Sequence, residues 1–189
     1  MDAHAEEVLR FWLEEAGPEG WYKGGEAFDA EIRDRFMGLW REARHLGHWC
    51  CSPRGTLAFL ILTDQFPRNM FRGDGRAFAT DQLALAVAKQ AVTARADLGV
   101  EGAARQFFYL PLEHSESLAD QARAVRLILM RLDASETLLH ARAHREIIRR
   151  YGRFPYRNDA LGRPGTAREA GMIEAGGYGA VLRELQAAG

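Results

Sequence analysis

Apolar residues recur along this chain three and four positions apart, and no stretch alternates at period two over strand length. Val8, Leu9, Phe11, Trp12 and Leu13 lie among glutamates between Ala3 and Ala16, which predicts an amphipathic helix ended by Gly17-Pro18. Asp29 can cap a second helix carrying Ile32, Phe36, Leu39, Trp40, Ala43 and Leu46, with Gly47 as its stop. Thr56 to Phe66 is apolar nearly all round and predicts the most buried helix; it turns polar at Asp64 and Gln65, just before Pro67 ends it.

Further along, Thr80 caps a helix running to Ala96, and Ala104 to Leu110 forms a short aromatic helix ending at Pro111. Ser115 or Ser117 caps the next, with Leu118, Ala122, Val125, Ile128, Leu129 and Leu132 on its apolar face. Glu136 to Tyr151 predicts a helix stopped by Gly152, and Thr166-x-x-Glu169 is a capping box for another. Gly176-Gly177 separates that helix from a last short one. The fold class is therefore all-α, with short connections that favour antiparallel helix pairs. No linker or low-complexity segment marks a boundary, so residues 1–189 read as one domain.

One sequence element is repeated. Phe66-Pro67-Arg68-Asn69 recurs as Phe154-Pro155-Tyr156-Arg157-Asn158, and each copy ends a helix and leads through a Gly- and Arg-containing loop to a capping Thr. Two helix–loop–helix units with the same joint suggest a helical-repeat ancestry.

Composition narrows the function classes. A net charge of −1 argues against a general nucleic-acid or membrane-surface binder. The charge is unevenly spread: nine acidic residues lie between Met1 and Glu31, and eight arginines between Arg142 and Arg168. Only Lys23 and Lys89 among the basic residues are lysines, and guanidinium groups bind carboxylate and phosphate in a bidentate fork. Cys50 and Cys51 are adjacent, which suits reduced thiols in a cytoplasmic protein better than a disulfide or a zinc site. The acidic N-terminus lacks the order of a signal peptide, and the longest apolar run is too short to span a bilayer.

Three constellations could carry chemistry. Asp64, Arg68 and Asn69 follow a buried helix and need partners, either each other or an anionic or amide-bearing ligand. His114 and Glu116 flank a helix N-terminus, where an imidazole beside a carboxylate can move protons. His144 precedes Arg153, Arg157, Asn158 and Arg163, whose guanidiniums could clamp an anion around the stiff Phe154-Pro155 turn. His140 and His144 have zincin spacing without the zincin glutamate, and nearby arginines repel a cation, so no metal is expected.

The segments LTDQFPRNMFRG, FFYLPLEHSE and HREIIRRYGRFPYRNDALGR, with T-x-x-E after the last, resemble domain of unknown function family 924 from Trp12 through Glu169. The resemblance implies an all-helical, tetratricopeptide-like array and no established activity, substrate or cofactor. Its motif positions fall here on Asp64, Gln65, Arg68, Asn69, His114, Ser115, Glu116, Gln121, His144, Gly152, Arg153, Arg157, Asn158 and Arg163. Tyr156 stands where the family commonly has His, and His140 lies outside the pattern.

The expected site therefore binds a phosphate- or carboxylate-bearing small molecule through Asp64, Arg68, Asn69, Arg153, Arg157, Asn158 and Arg163. His114, Glu116 and His144 are the residues for proton transfer in hydrolysis or group transfer. The alternative is a tetratricopeptide-like module that takes a protein or peptide partner, its polar motifs serving as joints.

Overall fold

The computed structural model describes residues 2–22 and 24–188, and among them every regular element is helical. The α-helices are α1 (Ala3–Leu9), α2 (Gly17–Gly20), α3 (Glu26–Arg41), α4 (Pro53–Leu60), α5 (Phe66–Met70) and α6 (Asp81–Thr93). They continue with α7 (Leu110–Glu113), α8 (Leu118–Arg131), α9 (Ser135–Tyr151), α10 (Ala167–Glu174) and α11 (Gly177–Ala188). The helices gather into two compact units, Met1–Pro111 and Leu112–Gly189, although no linker composition marks that point.

The first unit is built around aromatic rings. Trp12 meets Phe66 edge-on at 5.5 Å between centroids, Phe36 lies 4.7 Å from Phe66, and Trp21 meets Phe107 at 4.8 Å. Such tilted and edge-on pairs add to the burial of large rings. The sequence places the most buried helix from Thr56 to Phe66, and every residue from Thr56 to Pro67 is indeed buried. Its start and end differ from expectation. Ser52 caps it and Pro53 occupies the first turn, where a missing N–H costs nothing. At the other end Pro67 does not stop the chain. A π-helical turn over Ile61–Gln65 already breaks the regular ladder, so α5 carries Pro67 in its first turn. Pro111 likewise sits inside α7 after a 3-10 turn over Gly102–Phe108.

In the second unit Ala143, Ile147, Ile148, Phe154, Met172 and Val181 form the apolar core. Helix α9 ends as predicted at Gly152, whose φ of 72° is the left-handed cap conformation that a Cβ would strain. The Thr166–Glu169 capping box is formed in both directions. Helix α8 is rotated from the face its leucines suggest. Leu118 and Leu129 are exposed, while Asp120, Gln121, Ala124, Val125, Leu127 and Ile128 face inward. Two polar residues enter because the preceding loop needs them. Gln121 donates through Nε2 to the carbonyls of Glu113 (2.5 Å) and Ser115 (2.7 Å), and Asp120 accepts from Ser115 Oγ at 2.8 Å.

Candidate functional site

In the first unit the repeated element closes on itself. Asp64 is 1 % exposed and accepts from Gln65 Nε2 at 2.5 Å, and Arg68 donates to the Asp64 carbonyl. The Arg68 guanidinium lies 3.3 Å from the Asp64 carboxylate and 3.0 Å from that of Asp81. Asn69 donates through Nδ2 to Asp29 at 2.9 Å, and Arg72 grips the same carboxylate with Nε and Nη2 at 2.8 and 3.0 Å. Burial pushes the Asp29 carboxyl up, but Arg72 and Asn69 outweigh it and hold the group below the usual carboxylate range. Asp29 is thus a buried anion in the first turn of α3, where the sequence suggested a cap; the cap position belongs to Gly25. A cleft of 830 Å³ beside this joint is lined by Asp29, Arg33, Asn69, Arg72 and Arg76. Asp64 and Arg68 are not among its lining residues.

The second unit brings together His114, Glu116, His144, Arg153, Arg157, Asn158 and Arg163, but in roles that differ from those the spacing suggested. Glu116 is not the partner of an imidazole. Its carboxylate accepts from Arg163 at 2.7 and 3.0 Å and from the Phe154 N–H at 2.8 Å. Burial raises the Glu116 pKa, yet Arg163 and that backbone N–H lower it further than burial raises it. Arg153 is forked onto Glu169 at 2.5 and 2.8 Å, an arrangement that, with the Thr166 N–H, lowers the Glu169 pKa to about 2. Arg157 is buried, lies 4.3 Å over the Phe154 ring and donates to the His114 carbonyl at 3.1 Å. Arg163 also donates to Asn158 Oδ1 at 3.1 Å. Most of the guanidinium surface expected to clamp an anion is therefore spent on holding the turn.

The carboxylate that does face an imidazole is Glu113. It is 1 % exposed, and its Oε2 lies 3.1 Å from His144 Nδ1. A carboxylate oxygen accepts here when it is ionised, so Nδ1 is the donor toward Glu113 and Nε2 is the ring nitrogen left for another partner. No protein group among the described residues bonds that Nε2, which reaches solvent. The His114 ring is 6.2 Å away. Tyr178, from α11, lies 5.0 Å from the His144 ring and hydrogen-bonds His140 Nδ1 at 2.5 Å. Burial, and then the neighbouring His144, push His140 below the ordinary imidazole pKa, so it is kept neutral.

Sequence reasoning gave no role to Glu113 or Tyr178, and it weighed His140 only as a metal ligand. Glu113 sits beside His114 in the same motif, and its position on α7, next to the Gln121-braced loop, was the available signal. Nothing in the sequence ties Tyr178 to α9. Among the described residues no group of three or more His, Cys, Asp and Glu could hold a metal ion, and no helix is long and apolar enough to cross a membrane.

A solved structure titled as a protein of unknown function, ATU0120 from Agrobacterium tumefaciens, superposes on this chain with a TM-score of 0.86. It is 40% identical, and the match covers 92% of this chain and 98% of that one. No curated protein matches. Residues 8–177 match the family described as "Bacterial protein of unknown function (DUF924)", a span that holds every motif residue above and stops where α11 begins. The chain belongs to the DUF924 family.

Proposed function

We propose that the second unit binds a small anionic molecule and hydrolyses it by proton transfer at His144. One observation carries this reading: a buried carboxylate, Glu113, orients a partly exposed imidazole whose second nitrogen has no protein partner. A helical core does not require that pair, and the pair suits general base catalysis, in which a carboxylate orients the imidazole. In the reaction, His144 Nε2 accepts a proton from water as the oxygen attacks the substrate's carbonyl or phosphoryl centre. Glu113 stabilises the imidazolium, and the leaving group takes the proton back. The anion is drawn by the charge of this unit, which carries twelve basic against ten acidic residues, and by the Arg157 guanidinium beside His114.

The test is dye-monitored melting against phosphorylated and carboxylic metabolites, paired with release of phosphate or acid. A ligand at ~100 times its dissociation constant adds about 2.7 kcal/mol, which raises Tm by roughly 5–10 °C for a chain of this size. His144→Gln should abolish turnover while Tm without ligand stays close to wild type. A panel that never moves Tm, or a His144→Gln protein that turns over normally, ends the proposal.

A further inference from the structure

We infer that the cleft between the Pro155–Arg157 turn and α10 is a second site, built for a lysine-like ligand that carries a cation on an aliphatic stem beside a carbonyl acceptor. The cleft has a volume of 570 Å³, within the range of small-ligand pockets. Its distinguishing residue is Asn158, which is 5 % exposed. Arg163 Nε donates to Asn158 Oδ1, which fixes the orientation of the amide and turns Nδ2 away from that bond. Nδ2 has no acceptor among the described residues and reaches solvent. A Cβ placed on Gly165, across the same cleft, would stand 3.9 Å from Nδ2. An amide donor that no protein group uses and that opens into a cleft can take a ligand's carbonyl oxygen in place of water.

The rest of the lining sets the chemistry of the ligand. Asp159 and Glu174 line the cleft, and neither has a cationic partner among the described residues. Glu169 is already taken by Arg153 and the Thr166 N–H, and no arginine or lysine lines the cleft. Two carboxylates without a cation attract an ammonium group. Tyr156 and Ile173, 41 % and 46 % exposed, form an apolar flank for a hydrocarbon stem. Ala167 opens α10 in the same wall, and the first N–H groups of a helix also seek an acceptor. The sign of this site is opposite to that at His144, so the two inferences stand separately.

The experiment is a nitrogen–proton correlation spectrum of the full chain titrated with acetyl-Leu-Lys-amide, with lysinamide, and with acetyl-Leu-Glu-amide. The lysine peptide should move the Asn158 side-chain amide and the Ala167 and Ile173 backbone signals saturably. An equal response to lysinamide identifies a free small molecule as the ligand type, and a response to the peptide alone identifies a basic peptide segment. Gly165→Leu, which fills open space, should weaken binding at least ~10-fold with Tm unchanged. Exposed Ile173→Arg provides the same block should Gly165→Leu fail to fold. The site is refuted if neither lysine probe moves the Asn158 amide by about 10 mM. It is equally refuted if the glutamate peptide binds as well, or if both blocked variants bind like wild type.

Discussion

The two copies of the Phe-Pro…Asn element solve the same problem with different completeness. At the first, Asn69 spends its amide on the buried Asp29, which Arg72 also holds. At the second, Asn158 accepts from Arg163, whose other nitrogens hold Glu116, and its Nδ2 is left facing a cleft. One joint is closed by an acidic residue brought from α3, forty positions away; at the other, Asn158 is bonded through Oδ1 and its Nδ2 stays open to solvent. The difference shows that a repeated motif can have its amide donor taken by a protein carboxylate in one copy and left open to a cleft in the other. What decides is whether the surrounding fold supplies the last hydrogen-bond partner.

The sharpest way to break this comparison is to make one substitution at both joints. Asn69→Asp sets a second carboxylate 2.9 Å from Asp29 and removes its hydrogen bond, and it should cost about 2–3 kcal/mol. Asn158→Asp keeps the acceptor for Arg163 and loses a donor that has no partner, so its cost should stay under about 0.5 kcal/mol. Urea unfolding of both variants measures the contrast, and equal losses would refute the reading of two unlike joints. Next in size, Glu116→Gln weakens the fork to Arg163 but can still accept from the Phe154 N–H, so we expect a loss of about 1 kcal/mol at neutral pH. That loss should shrink in acid. The folded Glu116 pKa lies below its ordinary value of 4.5, so the stabilisation is complete above that value and fades as pH falls through the lower, folded one.

A further effect concerns Glu169, whose pKa of about 2 against an ordinary 4.5 gives the same sign. Its contribution is full above pH 4.5 and disappears as pH drops toward 2. Thermal melts between pH 5 and 2.5 should therefore be less steep in pH for Glu169→Gln than for wild type. Parallel curves would remove the Arg153–Glu169 fork as a brace of the second joint.

Helix identity was legible from the chain because a 3.6-residue apolar period, Gly152 and the Thr166–Glu169 box act locally. Where the reading slipped, a distant partner had overruled local preference. Asp29 looks like an N-cap in its own segment, but Asn69 and Arg72 draw it inward. Leu118 and Leu129 look like core on a helical wheel, but Asp120 and Gln121 rotate inward to brace the loop carrying His114. Pro67 looks like a stop, but the π-helical turn before it leaves room for the chain to stay helical.

The same division runs through the candidate site. The sequence by itself determined that the fold is helical, that the family is DUF924, and that polar groups concentrate in the stretches 113–116 and 144–163. Only the tertiary structure decided that Glu113 rather than Glu116 faces His144, that Arg153 and Arg163 are consumed by Glu169 and Glu116, and that Asn158 retains a donor. The physical reason is that periodicity and capping depend on neighbours a few residues away. Which carboxylate meets which cation depends instead on distances and burial that arise only when the helices pack.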